Sequence, residues 1–282
     1  MQNKPHKYNL LEHFLFLPTW LNKRKLQQYT KGKTILITGA SYGIGEQLAY
    51  LLAQQGTHLL LVARTQEKLI EVKSKVEQLK GYASVYPIDL TENDQIEELL
   101  KELPENIDIV VSNAGKSIMR SIYKSLDRFH DFQRTMALNY FGPVQLLLGL
   151  IPKLEQSKGH IINTSAVNVL LAPAPYWAAY QASKTSFDQW FRCVAPEIRA
   201  KGIKSSSIYL PLVKTRMIAP TKAYDNVPAM SPEHVAKIIA KTICTGRRKF
   251  APWWLIFGQL GSVIFRTPWE WMSTYFIKRK QK

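Results

Sequence analysis

Short apolar runs rich in β-branched residues alternate with longer amphipathic segments from position 33 onward. This alternation is typical of a parallel sheet whose strands are joined by crossover helices. It predicts strands over 34–38, 58–63, 82–88, 107–112, 160–164 and 204–210. It predicts helices over 46–55, 66–80, 93–103, 127–150 and 177–200, and a further helix that opens at Ser231-Pro232-Glu233. The predicted fold class is a doubly wound α/β parallel sheet.

Length and composition fit one such domain with short additions at both ends. The chain has 282 residues, of which 46% are hydrophobic and 21% charged, and single α/β domains commonly reach about 250 residues. We expect an amphipathic extension over 1–32, a catalytic domain over 33–245 and an aromatic, basic segment over 246–282. Disordered and disulfide-stapled classes are excluded by this composition.

The formal net charge of +17 is concentrated at the two ends. Residues 1–33 hold seven basic side chains against one acidic, and residues 246–282 hold eight against one. These basic residues flank aromatic and apolar runs, a pattern that suits peripheral contact with an anionic membrane. A nucleic-acid partner is not expected, because the charge is not on a central recognition element. The alternative is that the apolar ends form core or a subunit interface.

The two cysteines, Cys193 and Cys244, are isolated, and no metal-ligand spacing accompanies them. They favour ordinary packing in a reducing compartment, and no metal site is expected. The apolar stretch 10–21 is interrupted by Glu12, His13 and Pro18, unlike a secretory signal. We therefore expect a cytoplasmic protein, with the inner face of the membrane as its contact surface.

A glycine-rich turn, T-G-A-S-Y-G-I-G, follows the first predicted strand and precedes a helix. Glycines in this position permit a tight turn and close approach of a pyrophosphate to the helix N-terminus. The alternative is an ordinary strand-to-helix turn. The spacing T-G-x-x-x-G-x-G resembles the pyrophosphate loop of the short-chain dehydrogenase/reductase family, which has a Rossmann-type fold. The cofactor contacts expected here are Gly39, Ser41, Tyr42, Gly43, Ile44 and Gly45.

Further segments extend the resemblance along the cofactor site. Arg64 follows the second strand, where a cation suits the 2′-phosphate of NADP; NADP(H) is therefore favoured, with NAD(H) as the alternative. The resemblance places Asp89 near the adenine ring, and it assigns the cofactor-lining N-A-G segment to Asn113, Ala114 and Gly115.

Tyr180 and Lys184 lie four residues apart on a predicted helix and so share one face. A neighbouring ammonium lowers the pKa of a phenol, which then serves as general acid or base. The resemblance implies that Tyr180 protonates a carbonyl oxygen, that Lys184 also binds the nicotinamide ribose, and that Asn139 supports a proton relay. After the sixth strand, P-L-V-K-T resembles the family's P-G-x-V-x-T, with Leu212 in place of glycine. The expected nicotinamide contacts there are Pro211, Val213 and Thr215.

The catalytic serine of the family has no clear equivalent. The fifth strand ends N-T-S-A, which puts Ala166 at the usual position and Ser165 one residue earlier. Either Ser165 reaches the substrate through a shifted loop, or its role is lost or taken by Thr164, Asn168 or a backbone group. The tetrad carried forward is Asn139, Ser165, Tyr180 and Lys184.

Residues 34–245 resemble the reductase portion of bacterial long-chain fatty acyl-CoA reductases, notably over 129–142 and Met217–Ile218–Ala219–Pro220–Thr221. The resemblance implies NADPH-linked reduction of an acyl thioester or a related lipid-like carbonyl substrate, by a homodimer or homotetramer. Two alternatives remain: a reductase or dehydrogenase of a small soluble ketone or alcohol, and a dinucleotide-binding scaffold without turnover.

Overall fold

A computed structural model describes residues 8–219, 221, 224 and 226–280, with the backbone alone for Lys280. Several positions used above lie outside the described residues: Lys4, Lys7, Pro220 and Lys282. All six predicted strands are present in the described part of the chain.

The strands form one parallel sheet. They are β1 (Thr34–Thr38), β2 (His58–Ala63), β3 (Tyr82–Pro87), β4 (Ile109–Ser112), β5 (His160–Ala166), β6 (Lys204–Leu210) and β7 (Lys249–Phe250). Their spatial order is β3-β2-β1-β4-β5-β6-β7, and every pairing is parallel. The first six strands follow the order of the doubly wound dinucleotide-binding fold. The predicted fold class is confirmed, and the carboxyl edge beside β1 and β4 is its ligand-binding crevice.

The helices lie on both faces of the sheet and at the two ends of the chain. They are α1 (Leu10–Leu15), α2 (Lys23–Thr30), α3 (Gly43–Ala53), α4 (Gln66–Gln78), α5 (Asn93–Glu102), α6 (Phe129–Met136), α7 (Gly142–Gln156), α8 (Ala178–Ala200), α9 (Pro232–Thr245), α10 (Leu255–Ile264) and α11 (Arg266–Lys280). Side chains from α3, α4 and α9 cover one face, and side chains from α5, α7 and α8 cover the other.

Several predicted boundaries differ from the structure. The single helix expected over 127–150 is α6 and α7 joined by a π-helical turn, Ala137–Phe141. A π-helical turn inserts one residue and is frequent at functional sites. The helix expected from 46 begins at Gly43, because its first turn belongs to the glycine-rich turn. The strand expected over 107–112 begins at Ile109, and β5 extends two residues beyond its prediction.

The segments at both ends of the chain pack against the loops that follow β5 and β6. Glu12 of α1 is 3% exposed, pairs with Lys214 at 3.6 Å and accepts a hydrogen bond from the Ala229 amide. In the C-terminal segment, Ser262 accepts a hydrogen bond of 2.9 Å from the Ala172 amide in the loop after β5. No helix in the described part of the chain has the length and apolar character needed to cross a bilayer.

Candidate active site

The glycine-rich turn is held in a shape that side chains would obstruct. Gly39 and Gly43 have φ of +67° and +59°, a region that favours glycine. A Cβ on Gly39 would lie 3.0 Å from the Ala114 Cα, and one on Gly45 would overlap the Gly39 carbonyl oxygen. Tyr42 precedes the first turn of α3 in extended conformation. This cradle fits a pyrophosphate against the helix N-terminus.

The N-A-G segment is hydrogen-bonded to the glycine-rich turn. The Thr38 hydroxyl accepts the amides of Asn113 and Ala114 at 2.9 and 3.0 Å. The Asn113 side chain donates to the carbonyl oxygens of Thr38 and Gly39. These bonds join the ends of β1 and β4 and fix the crevice in which a dinucleotide would lie.

The expected adenine-side residues are neighbours. Arg64 Nη1 lies 3.4 Å from Asp89 Oδ2, with the arginine side chain two-thirds exposed. Asp89 Oδ1 also accepts hydrogen bonds from the amide and hydroxyl of Thr91. The exposed guanidinium retains donors for a phosphate oxygen.

Two residues near the turn were not singled out from the sequence. Glu46 accepts a hydrogen bond from the Gly43 amide at 3.1 Å, and Arg216 lies 4.7 Å from the centroid of the Tyr42 ring. An acidic residue in the first turn of a helix is a recognisable sequence signal, whereas the Arg216 contact depends on the course of a distant loop.

Asn139 lies in the π-helical turn between α6 and α7 and is 1% exposed. Its Oδ1 accepts the Lys116 amide at 2.8 Å, and its Nδ2 donates to the Lys116 carbonyl and to the Ser183 hydroxyl, each at 2.9 Å. The amide group is thus fully used in joining the segment after β4 to α8.

Gly115 stands where these elements meet. A Cβ on Gly115 would lie 3.3 Å from Asn139 Oδ1 and 3.6 Å from Lys184 Nζ. The structure therefore brings together the N-A-G segment, Asn139 and Lys184. Tyr180 lies one helical turn before Lys184 on α8, and its ring contacts the Trp177 ring with centroids 5.8 Å apart.

The protonation chemistry of the pair differs from the expectation. Burial, followed by the charge of Tyr224, raises the pKa of the Tyr180 phenol. Burial lowers the pKa of Lys184 to about 8, against the opposing influence of Asp188. The prediction that the lysine lowers the tyrosine pKa is not what the structure shows, because burial dominates and Lys184 Nζ donates to the Thr164 carbonyl at 3.1 Å. A neutral phenol is the form that can donate a proton to a carbonyl oxygen.

Ser165 faces α8. Its hydroxyl donates to Asp188 Oδ1 at 3.2 Å, and the Tyr209 hydroxyl donates to Oδ2 of the same carboxylate. Ser165 is 4% exposed, so this contact holds it within the protein. Two other polar atoms near the strand end, Thr164 Oγ1 and Asn168 Oδ1, are buried without a hydrogen-bond partner among the described residues.

The segment after β6 reaches the glycine-rich turn. A Cβ added to Gly43 would lie only 3.0 Å from Thr215 Cγ2, so Thr215 lies directly against the turn. Val213 is 8% exposed and forms a bridge with Met230. The Leu212 carbonyl accepts the Met230 amide at 2.8 Å, so leucine in place of glycine is accommodated in paired backbone. Pro211 directly follows β6 at the carboxyl edge.

Gln181, between the predicted catalytic residues, braces the loop after β5. Its Nε2 donates to the Asn168 carbonyl at 2.7 Å, and its Oε1 accepts the Ala174 amide at 2.9 Å. These two bonds span the loop that carries Asn168, whose Oδ1 lacks a hydrogen-bond partner among the described residues. No local sequence pattern announces it, because the loop partners are backbone groups.

Comparison with known proteins agrees with this geometry. The short chain dehydrogenase family model matches residues 33–226, and the chain belongs to that family. It is 46% identical over 243 residues to a fatty acyl-CoA reductase of Acinetobacter baylyi, covering 85% of this chain and 81% of that protein. It is 40% identical over 228 residues to a fatty acyl-CoA reductase of Mycobacterium tuberculosis, covering 78% of this chain and 76% of the relative. The resemblance drawn from the sequence is confirmed.

Solved structures share the fold. A metagenomic short-chain oxidoreductase in complex with NADP matches with a TM-score of 0.68 and 25% identity, over 79% of this chain and 97% of that one. A short-chain dehydrogenase from Sphingobium yanoikuyae in complex with NADPH matches with a TM-score of 0.70 and 23% identity, over 77% and 86%. The chain is a short-chain-type oxidoreductase and shares the fold of these NADP and NADPH complexes.

Proposed function

We propose that this protein is an NADPH-dependent reductase of long-chain fatty acyl-CoA thioesters, with residues 33–245 as its catalytic domain. The observation that carries the proposal is the meeting of Gly115, Asn139 and Lys184 beside Tyr180, at the strand edge that holds the glycine-rich turn. Supporting it, two fatty acyl-CoA reductases are 46% and 40% identical over most of the chain.

The turn residues would hold the pyrophosphate, Arg64 the 2′-phosphate, and Lys184 with Pro211, Val213 and Thr215 the nicotinamide end. The reduced nicotinamide, when bound, supplies a hydride. Tyr180 donates a proton to the thioester carbonyl oxygen. Asn139 holds the segment after β4 against α8 through its side-chain amide, and its place beside Lys184 suits a role in resupplying the proton.

The atoms balance for a thioester. A carbon–hydrogen bond forms at the carbonyl carbon, the carbonyl oxygen takes the Tyr180 proton, and the resulting hemithioacetal breaks its carbon–sulfur bond. Its hydroxyl proton is released as the aldehyde carbonyl forms, and the departing thiolate takes up one proton. The products are an aldehyde, coenzyme A thiol and the oxidised dinucleotide.

Catalysis without the usual serine is part of the proposal. Ser165 pairs with Asp188, and we assign it the role of tying β5 to α8 through that carboxylate unless the loop shifts on binding. The Nδ2 amide group of Asn168 is the better candidate to hold the substrate oxygen, because it donates hydrogen bonds and Gln181 braces the Asn168 backbone. Asn168→Ala should then lower kcat more than Ser165→Ala does, and the reverse order would return the role to Ser165.

Exposed apolar side chains of both terminal extensions support a lipid substrate. We define the terminal apolar surface as Leu10, Leu11, Phe14, Trp20, Trp253, Phe257, Leu260, Val263, Phe265 and Trp271, each at least 42% exposed. The two extensions meet where Trp253 Nε1 donates to the Phe14 carbonyl at 3.0 Å. Trp269 Nε1 also donates to the Pro173 carbonyl in the loop after β5. The surface is therefore linked to the loop that borders the active site.

The proposed occupant of this surface is the inner face of an anionic membrane. Lys23, Arg24, Lys25 and Arg266 lie beside its apolar residues in the chain, and basic groups beside apolar and aromatic ones favour an anionic interface. A cytoplasmic enzyme docked there would take long acyl chains directly from the lipid phase.

The chemistry is tested by following NADPH oxidation with long-chain acyl-CoA, long-chain aldehyde and small ketones, using wild type and Tyr180→Phe. We expect turnover of the long-chain thioester and a loss of about 10²–10⁴-fold in the variant, the range for removal of a general acid. Retained NADPH binding by the variant shows that it is folded. Turnover limited to small ketones, or none despite NADPH binding, would contradict the proposal.

The membrane contact is tested by sedimentation with vesicles of anionic phosphatidylglycerol or neutral phosphatidylcholine. Wild type should sediment with the anionic vesicles, and Leu260→Glu with Val263→Glu should stay in solution. Ile70→Glu, 47% exposed on α4, is the matched control. If the double variant instead binds vesicles, and is a monomer where wild type is a homodimer or homotetramer, the surface is a subunit interface and the membrane proposal is wrong.

A further inference from the structure

Three arginines converge on one buried carboxylate in the segment after β4. Asp131 on α6 has a side chain only 2% exposed. Its Oδ2 lies 3.0 Å from Arg120 Nε and 3.2 Å from Arg128 Nε, while its Oδ1 pairs with Arg134 Nη2. Burial opposes ionisation, but the hydrogen bond from Arg128 and the charges of Arg134 and Arg120 hold the pKa of Asp131 below its usual value. The cluster has a net positive charge.

Neutralising the charge of Asp131 does not require three arginines. One guanidinium balances one carboxylate, and Asp131 is the acidic group with which they pair among the residues the structure describes. The arginine side chains keep 34%, 35% and 41% exposure. Arg134 Nε is itself buried and so is closed to an outside ligand. The exposed parts of the three arginine side chains therefore keep positive charge available to an anion.

The cluster lies next to the proposed active site. The Arg120 amide donates to the Tyr176 carbonyl at 2.8 Å. Arg120, Asp131, Tyr176 and Ala179 line one small cavity, and Ala179 directly precedes Tyr180.

The positive charge extends toward Asn139. Burial, followed by the charges of Arg134 and Arg64, lowers the pKa of Lys116. The backbone of Lys116 is hydrogen-bonded to the Asn139 side chain. The segment that borders Lys184 thus carries a further basic side chain, Lys116, within the electrostatic influence of Arg134.

We propose that Arg120, Arg128 and Arg134 form a binding site for the phosphate groups of the coenzyme A part of an acyl-CoA substrate. Coenzyme A carries a 3′-phosphate and a pyrophosphate, and arginine binds phosphate oxygens through two parallel hydrogen bonds. The inference rests on the proposed function and deepens it, because a site for these phosphates selects the thioester of coenzyme A over a free aldehyde.

A matched pair of substrates isolates this contribution. The double variant Arg128→Gln with Arg134→Gln retains Arg120 beside Asp131, and the single variants show whether the fold tolerates each change. Lys124→Gln removes one exposed charge nearby and is the control. Each protein is assayed with a long-chain acyl-CoA and with the N-acetylcysteamine thioester of the same acyl chain, which carries no phosphate.

We expect the double variant to lower kcat/KM for the acyl-CoA by about 10–100-fold, through KM, as charge-assisted hydrogen bonds of ordinary strength would give. Its activity on the N-acetylcysteamine thioester and its KM for NADPH should stay within about twofold of wild type. Equilibrium binding of free coenzyme A should weaken in parallel. Lys124→Gln should change none of these quantities.

Three results would overturn the inference. An equal loss on both thioesters indicates a structural role for the arginines. A raised KM for NADPH with unchanged preference between the thioesters assigns the cluster to the cofactor phosphates. If the double variant binds free coenzyme A as tightly as wild type does, the arginines do not form the site. Failure of wild type to reduce either thioester would contradict only the proposed function, because the binding measurement needs no turnover.

Discussion

The half of the sheet that carries the dinucleotide crevice and the half that borders the substrate are built by different means. In the first, β1, β2 and β4 pair directly as neighbouring strands, and Asn113 bonds to the neighbouring strand end. In the second, the loops after β5 and β6 depend on segments far away in sequence. Ser262 bonds the loop after β5, and Glu12 pairs with Lys214 after β6.

The difference shows which chemistry a short motif can encode. A pyrophosphate needs close approach of backbone, which a few glycines provide within one turn. The proposed long-chain substrate would need an apolar surface, and exposed apolar side chains lie at the two ends of the chain. The crevice should therefore tolerate almost no local change, whereas the substrate side should respond in smaller steps.

The largest effect is expected for Gly45→Ala. The added Cβ would overlap the Gly39 carbonyl oxygen and come within 2.9 Å of the Ala40 Cα, both backbone atoms. We expect NADPH affinity to fall by at least about 100-fold, since a displacement near 1 Å can cost that much. Gly261→Ala on α10, where nothing lies within 4 Å, is the control. Fluorescence titration measures both, and equal affinities would contradict a rigid turn.

Arg64→Gln should alter the choice of cofactor. Loss of a charged partner for the 2′-phosphate should raise KM for NADPH by about 10–100-fold, from the usual strength of hydrogen bonds to charged groups. KM for NADH should change little, because NADH lacks that phosphate. Parallel initial-rate measurements with both cofactors check this, and an equal rise for the two would assign Arg64 to holding Asp89 instead.

The pH dependence of reduction should report Lys184. Its pKa of about 8 means that the ammonium is present below pH 8 and lost above it. Because the charged form is the one proposed to hold the nicotinamide end, kcat/KM should fall as pH rises through 8. The decline should approach tenfold for each further pH unit. A profile that is flat to pH 10 would show that the lysine charge is not required.

The smallest effect is expected on the substrate side. Trp269→Phe removes the hydrogen bond to the Pro173 carbonyl while keeping an aromatic ring. A single exposed neutral bond contributes about 0.5–1.5 kcal/mol at most, so KM for the long-chain thioester should rise about two- to fivefold. KM for NADPH should be unchanged. Steady-state kinetics distinguish this from a general loss of stability, which would affect both.

The sequence predicted the doubly wound parallel sheet and its first six strands, because period and motif are local signals. Its error on the Tyr180 phenol has a physical origin. Spacing on a helix shows that Tyr180 and Lys184 share a face, but the burial that raises one pKa and lowers the other depends on the packing of the whole domain. The π-helical turn at Asn139 escaped prediction for the same reason.

Other features of the site were not singled out from the sequence. Arg128 and Arg134 each lie three residues from Asp131, whereas only folding brings Arg120 to that carboxylate. The ends of the chain were recognised as apolar and basic, but their contacts with the loops beside the active site join residues about 90 to 200 positions apart.

Transfer of hydride from NADPH to a long-chain acyl-CoA is tested most directly with a deuterium label. Long-chain acyl-CoA is incubated with NADPH carrying deuterium at nicotinamide carbon 4, prepared separately with each of the two stereochemistries, and the products are analysed by mass spectrometry. For wild type we predict a long-chain aldehyde that carries one deuterium at carbon 1 when one of the two NADPH stereoisomers is used, together with one equivalent of coenzyme A thiol. Tyr180→Phe should form neither product. Folded wild-type protein that binds NADPH yet transfers no deuterium to the acyl chain would contradict the proposed function.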